Sequence, residues 1–337
     1  MWKSLIRSRS FWAGMILSCA GLAVALHGVG PADLKRELAE VAWHLALAIS
    51  AVSFLSGVAR AWRWKIALDS FSSLSFKNVC SAFMAGLFGL NVIPARVGEY
   101  LRVYVLGKSS SLSQSSILAT VVFERILDGL TILTIFLVAM MTRSADESGR
   151  LGGFIRKEFL LLIPAIFFLC LGFLHDVWRR PARWAGWIGR FAPLLGSAGA
   201  RLPGMMERFS KGLVIFSDLG RLARYITWSF ASWLLAALYF YLNFLILDID
   251  LGFSEAIVVL AVTVVGVMLP AAPGFVGTYH AFCKGTLVIL GVDEAAALTF
   301  AVVTHALPFA LNTLAGFVCV LRENVRLAEL SSKPTDA

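Results

Sequence analysis

Charge is scarce in this sequence, and long polar stretches are absent. Only 15% of its 337 residues are Asp, Glu, Lys or Arg, while 58% are hydrophobic; soluble domains run near 25% and 45–50%. That balance excludes a water-soluble globular class, and no polar segment is long enough to enclose a second core. No phosphate-cradling glycine loop, no H-E-x-x-H pair and no D-x-D pair beside a polar nucleotide-binding domain is present, which argues against nucleotide hydrolysis and metal-peptidase chemistry. The five cysteines (Cys19, Cys80, Cys170, Cys283, Cys319) have no paired spacing. They read as buried thiols, not as a disulfide framework or metal site, and no cofactor is expected.

What the chain has instead is a series of apolar runs separated by short basic loops. The formal net charge of +9 sits beside those runs, the pattern of the positive-inside rule and not of a nucleic-acid surface. Residues 11–28, after Lys3, Arg7 and Arg9, read as a retained signal anchor with a cytoplasmic N-terminus. Residues 33–40 read as a polar outer connector, 41–59 as a second span, and 60–65 (RAWRWK) as a headgroup-level anchor of Trp and basic residues. Spans follow at 117–141, 159–174, 225–247 and 295–321. The basic, Trp-rich segment 176–224 is expected to lie on the inner membrane face against anionic lipids. The expected fold is an all-α polytopic membrane protein of about six transmembrane helices plus two re-entrant hairpins, with both termini cytoplasmic. One domain covers 1–325, and 326–337 is a polar tail.

The stretch 91–128 stands out. It places Arg96, Glu99, Arg102, Glu124, Arg125 and Asp128 among residues otherwise fit for lipid. Each charge at a bilayer centre costs about 2.5–3.5 kcal/mol on insertion scales, so such residues pair or serve a pathway. Glu124 and Asp128 share a helical face, and Arg125 is three residues from Asp128. An internal ion-pair clamp between helices and a site for a polar headgroup are both compatible with this pattern.

Two stretches are broken by proline and glycine, and they match. Pro94-Ala-Arg-Val-Gly98-Glu-Tyr100 and Pro273-Gly274-Phe-Val-Gly277-Thr-Tyr279 share P-x-x-V-G-x-Y, and Val121-Val-Phe-Glu124 later corresponds to Val302-Val-Thr-His305. Repeat cores at about 76–141 and 253–321 are separated by an odd number of expected crossings. The second copy is therefore expected to be inverted, as in alternating-access transporters. Broken backbone at membrane depth must be buried in protein or line a polar cavity. Freed helix N-termini there suit an anion, as do the forks of Arg96 and Arg102. In the second copy His280 and His305 supply imidazoles, with Tyr279 beside them.

At these residues the chain resembles the flippase-like membrane family named for the transmembrane region of lysylphosphatidylglycerol synthase. The resemblance rests on NVIPARVGEYLRVYVL, VVFERILDGL, LPAAPGFVGTYH and VVTHALPF, and spans about residues 41–321. It implies movement of an amphiphilic lipid between leaflets of the cell (inner) membrane. Phospholipids, polyprenyl-phosphate-linked lipids and hopanoid-type lipids are the candidate substrates. The family pattern carries over onto Pro94, Arg96, Gly98, Glu99, Arg102, Glu124, Arg125, Asp128, Pro273, Gly274, Gly277, Tyr279 and His305. Several relatives have glutamate where this chain has Tyr279-His280, so their substrates do not transfer automatically. No soluble transferase domain follows residue 321, so a transporter is expected here and not a lipid aminoacyltransferase.

In the leading reading Arg96 and Arg102 hold a headgroup phosphate, while Glu99, Glu124 and Asp128 balance them and accept a coupling proton. Two alternatives stay open. One is an integral-membrane enzyme acting on a lipid phosphate or lipid-linked sugar. The other is a non-catalytic scaffold that recruits an envelope-enzyme partner.

Overall fold

The computed structural model describes residues 9–93, 98–142, 157–191, 199, 202–269 and 271–323. Among them every regular element is helical. The chain runs α1 (Arg9–Leu26), α2 (Pro31–Glu40), α3 (Trp43–Leu68), α4 (Phe76–Val92), α5 (Gly98–Ser109), α6 (Gln114–Thr142) and α7 (Lys157–Arg179). It continues through α8 (Pro181–Phe191), α9 (Leu202–Gly212), α10 (Leu219–Ile246), α11 (Phe253–Met268), α12 (Thr278–Ile289) and α13 (Glu294–Arg322).

Among the described residues three helices are long and apolar enough to cross a membrane: α3, α10 and α13. The bent pair formed by α1 and α2, at 80° to one another, makes a fourth candidate. These match the expected spans at 41–59, 225–247, 295–321 and 11–28. At 29 residues α6 is about 43 Å long, but Glu124, Arg125 and Asp128 interrupt its apolar surface. The 33–40 connector is not a loop: Pro31 at the first turn and Asp33 near the helix N-terminus favour the short polar helix α2. The connection between the expected spans at 117–141 and 159–174 falls largely on 143–156, and the tail on 326–337; both lie outside the described residues.

The centre of the molecule is the antiparallel contact of α3 with α10. Ser56 Oγ donates to the carbonyl of Ser232 at 2.8 Å, and Trp62 meets Trp228 edge-on. Small buried residues on α3 (Ser50, Ser56, Ala59) let the two helices approach. Around this pair α4 packs on α5 and on α13, while α11 packs on α12 and on α6. The helices α3–α6 have 26, 17, 12 and 29 residues, and α10–α13 have 28, 16, 12 and 29. A separate core under the basic segment joins Phe123 and Leu127 of α6 to Leu174, Val177, Ile215, Phe216 and Tyr225.

Two expectations are corrected here. Helix α3 does not end at residue 59; it continues through the RAWRWK run. Arg63 and Trp64 in that run are fully buried, and only Trp62 is substantially exposed. The reason is helical phase, because Arg63 falls on the same stripe as Ser56, Ala59 and Ala67, all buried. The cysteines are expected to be buried, but only Cys283 is; Cys19 is exposed and the other three are half-buried.

The first hairpin closes through glycine. A Cβ on Gly98 would sit 2.0 Å from the backbone carbon of Gly89, whereas one on Gly285 of α12 would meet nothing within 4 Å. Gly98→Ala is therefore expected to destabilise the folded protein by about 1–3 kcal/mol through forced separation of α4 from α5. Gly285→Ala should be neutral or slightly stabilising, by helix propensity. Thermal unfolding of both variants in detergent checks this, and equal midpoints would contradict it.

Candidate functional site

Glu124 and Asp128 lie on the stripe of α6 that faces α3, together with Thr120. Arg63 of α3 reaches both carboxylates: Nη2 lies 3.1 Å from Glu124 Oε1, and Nη1 donates to Asp128 Oδ1 at 2.6 Å. Nη1 is also 3.2 Å from Ser229 Oγ of α10, and the guanidinium lies over the Tyr225 ring at 5.2 Å. Asp128 Oδ1 further accepts the indole N–H of Trp233 at 3.0 Å. Trp64 donates to Thr120 Oγ1 at 2.9 Å. One buried arginine thus ties α3 to α6 and α10.

Arg102, on α5, donates from Nη1 to Glu124 Oε2 at 3.0 Å. Its guanidinium lies over Trp64 at 4.9 Å and Phe83 at 5.6 Å. Gly86 makes room for it, since a Cβ there would come within 2.9 Å of Arg102 Cβ. Arg125 points away from Glu124 and pairs with Glu99 of α5 at 2.7 Å, while its approach to Asp128 is a looser 3.9 Å. The pairing of Arg125 is therefore chiefly across helices, not the local spacing of three. Pro94 and Arg96 lie outside the described residues.

These groups line a chamber of about 290 Å³ that contains Glu99, Arg102, Glu124, Arg125 and Asp128. A second chamber of about 290 Å³ lies beside it, lined by Asn91, Tyr239, Tyr279, Thr304, His305 and Asn312 among others. Arg60, Phe83, Leu87, Leu260, Val267 and Phe275 border both. Ligand pockets start near 300 Å³, so each chamber has room for a headgroup and not for lipid tails.

The second broken stretch shapes the neutral chamber. Pro273 opens a short 3-10 turn, and Gly274 and Gly277 adopt φ of 68° and 93°, which disfavour a side chain. His305 Nε2 is 2.8 Å from the Gly274 carbonyl, and its ring stacks on Tyr279 at 4.6 Å. Tyr279 donates its hydroxyl to Thr304 Oγ1 at 3.1 Å. His280 is buried and does not line either chamber; its Nδ1 accepts the backbone N–H of Gly277 at 3.4 Å and caps α12. The structure thus brings Tyr279, His280 and His305 together: the His280 ring meets His305 edge-on at 4.9 Å and Tyr279 at 5.8 Å while its Nδ1 caps α12. Among the described residues no group of three or more His, Cys, Asp or Glu is arranged to hold a metal ion.

The profile of the lysylphosphatidylglycerol synthase transmembrane region matches residues 11–316. The chain belongs to that family. It is a multi-pass integral membrane protein. A UPF0104 membrane protein of Pyrococcus horikoshii is 25% identical over 286 residues, 80% of this chain and 84% of that relative. Glycosyltransferase AglD of Haloferax volcanii is 24% identical over 368 aligned positions, 97% of this chain. The chain spans 57% of that glycosyltransferase's length. No solved structure matches it significantly.

Sequence reasoning missed Arg63 and Arg60, the two arginines that α3 contributes. The available signal was phase, with Arg63 on the stripe of small residues and Trp62 off it. Removing one partner of a buried ion pair costs about 3–5 kcal/mol, because the other charge is left uncompensated. Asp128→Asn is expected to cost that much in unfolding measurements in detergent. Arg36→Ala, which breaks the exposed 3.5 Å pair with Asp33, should change stability by less than about 1 kcal/mol. Similar losses in both would contradict the assignment.

Proposed function

We propose that this protein moves an amphiphile with an anionic headgroup between the leaflets of the cell membrane. The headgroup passes through the charged chamber, and the tails stay in lipid. One observation carries the reading: Arg60, Arg102, Arg125 and three carboxylates line a cavity among helices fit for a bilayer, with the buried Arg63 bonded to two of those carboxylates behind the wall. A clamp needs equal charges and no cavity. Among the described residues Arg60, Arg63, Arg102 and Arg125 face Glu99, Glu124 and Asp128, which leaves one positive charge in excess for a ligand.

The helix lengths support an alternating-access reading. Units α3–α6 and α10–α13 repeat the same long, short, short, long order, their first helices are antiparallel, and the short hairpins dock on the other unit's long helix. We take them as inverted copies with re-entrant hairpins at α4–α5 and α11–α12. In this reading α6 and α7 also cross, giving six spans with both termini cytoplasmic. The basic helices α8 and α9 then rest on anionic lipid at the inner face, where an envelope enzyme can dock. The charged first copy and neutral second copy suit a phosphate joined to an uncharged polar group, the class that includes phospholipids and lipid-linked sugars. Transport and not catalysis is proposed, so the lipid leaves covalently unchanged.

Leaflet exchange of fluorescent phosphatidylglycerol and a polyprenyl phosphate in proteoliposomes tests the proposal. Wild type should exceed empty vesicles, and folded Glu124→Gln and Arg102→Gln should lose about tenfold or more of that exchange. Equal exchange by the variants and wild type would overturn the role of the charged chamber.

A further inference from the structure

Among the four arginines of the cluster, Arg60 differs from the rest. Arg63, Arg102 and Arg125 each have a carboxylate within 3.1 Å, and those contacts use all three acids. Arg60 has no carboxylate at ion-pair distance among the described residues; like Arg63 and Arg102 it also has a buried Nε with no hydrogen-bond partner there, so the missing carboxylate is what sets it apart. Its guanidinium carbon lies over Trp233, 4.2 Å from the ring centroid. Trp233 is itself fixed by its bond to Asp128. A guanidinium stacked in this way keeps its in-plane N–H groups available, with the edge geometry that matches phosphate oxygens.

Arg60 is also the only ionised side chain that borders both chambers, among the described residues. On one side lie Glu99, Glu124 and Asp128, whose charge is already satisfied by other arginines. On the other lie hydroxyl, amide and aromatic groups with no carboxylate. We propose that Arg60 is the anion-binding residue of this protein and holds a phosphate-type headgroup at the junction of the two chambers. The ligand class rests on the transport reading above; the anion site itself does not. Arg102, expected from its sequence position to bind phosphate, shares Glu124 with Arg63.

The experiment is equilibrium binding of dihexanoyl phosphatidylglycerol, inorganic phosphate and uncharged dihexanoylglycerol to purified full-length protein in detergent. Wild type is compared with Arg60→Gln and Arg60→Lys, and the fraction folded is fixed by gel filtration and thermal unfolding. The phosphatidylglycerol should bind with an affinity about tenfold or more weaker in Arg60→Gln, the scale of one charge-assisted bond. Arg60→Lys should recover part of it, and dihexanoylglycerol should be indifferent to the substitution. A parallel dependence for inorganic phosphate assigns the site to a free anion, and none assigns it to the lipid headgroup; both uphold an anion at Arg60. Equal affinities of folded wild type and Arg60→Gln would overturn the proposal and leave Arg60 as a stacking anchor for α10. Binding that needs Arg60 in a protein with no leaflet exchange would instead sink the transport reading alone.

Discussion

A guanidinium shut away from water must be paired, and Arg63 meets that demand with Glu124 and Asp128 at once. Taking such charges out of water costs several kcal/mol per ion even after relaxation, so the fold around them has to hold good geometry. That demand sets the register of α3 against α6. Through Trp233 and Ser229 it reaches α10, and through Glu124 and Arg102 it reaches α5 and the first hairpin. Large rings lie against the guanidinium groups, Tyr225 against Arg63 and Trp64 and Phe83 against Arg102, and Phe83 also lines the charged chamber. An apolar replacement could fill the same space with less desolvation, so the choice of charge calls for a purpose beyond stability.

The two halves solve the same geometric problem with different chemistry. The first hairpin is held by an ion-pair network and by Gly98 on Gly89. The second is held from outside by α1. Ser18 Oγ accepts the N–H of Ala272 at 2.7 Å, Gly21 lies against Gly277, and Lys284 donates to the His27 carbonyl at 2.6 Å and pairs with Glu294 at 2.9 Å. The second hairpin is therefore buttressed by a helix that belongs to neither hairpin.

Much of this was legible in the sequence, because the constraint was strong there. Charges in apolar runs are costly enough to mark Glu99, Arg102, Glu124, Arg125 and Asp128 as a group, and the P-x-x-V-G-x-Y pattern located both breaks. Family membership followed from the same residues. Arg63 and Arg60 were hidden, because Trp and Arg together at the end of a span fit a headgroup anchor equally well by composition. Only the phase of the stripe separates the two cases. His280 was grouped with His305 as part of the second repeat copy, and their rings do meet edge-on at 4.9 Å, but the capping contact of His280 with the Gly277 N–H depends on a turn the pattern does not encode. The exposure of Cys19 depends on which face of α1 covers the second hairpin, a tertiary fact that its apolar neighbours do not encode.

The most direct test of the central account is a double-mutant cycle between Arg102 and Glu124, using Arg102→Gln, Glu124→Gln and the double variant, read by unfolding in detergent and by leaflet exchange. A buried, directly bonded pair predicts a coupling energy of about 1–3 kcal/mol, with the double variant far less damaged in stability than the sum of the singles. It predicts at the same time that exchange stays lost in the double variant, because the charged wall is gone. Additive stability losses, or exchange restored by the double change, would contradict the claim that this ion-pair network both builds the cavity and serves its passage.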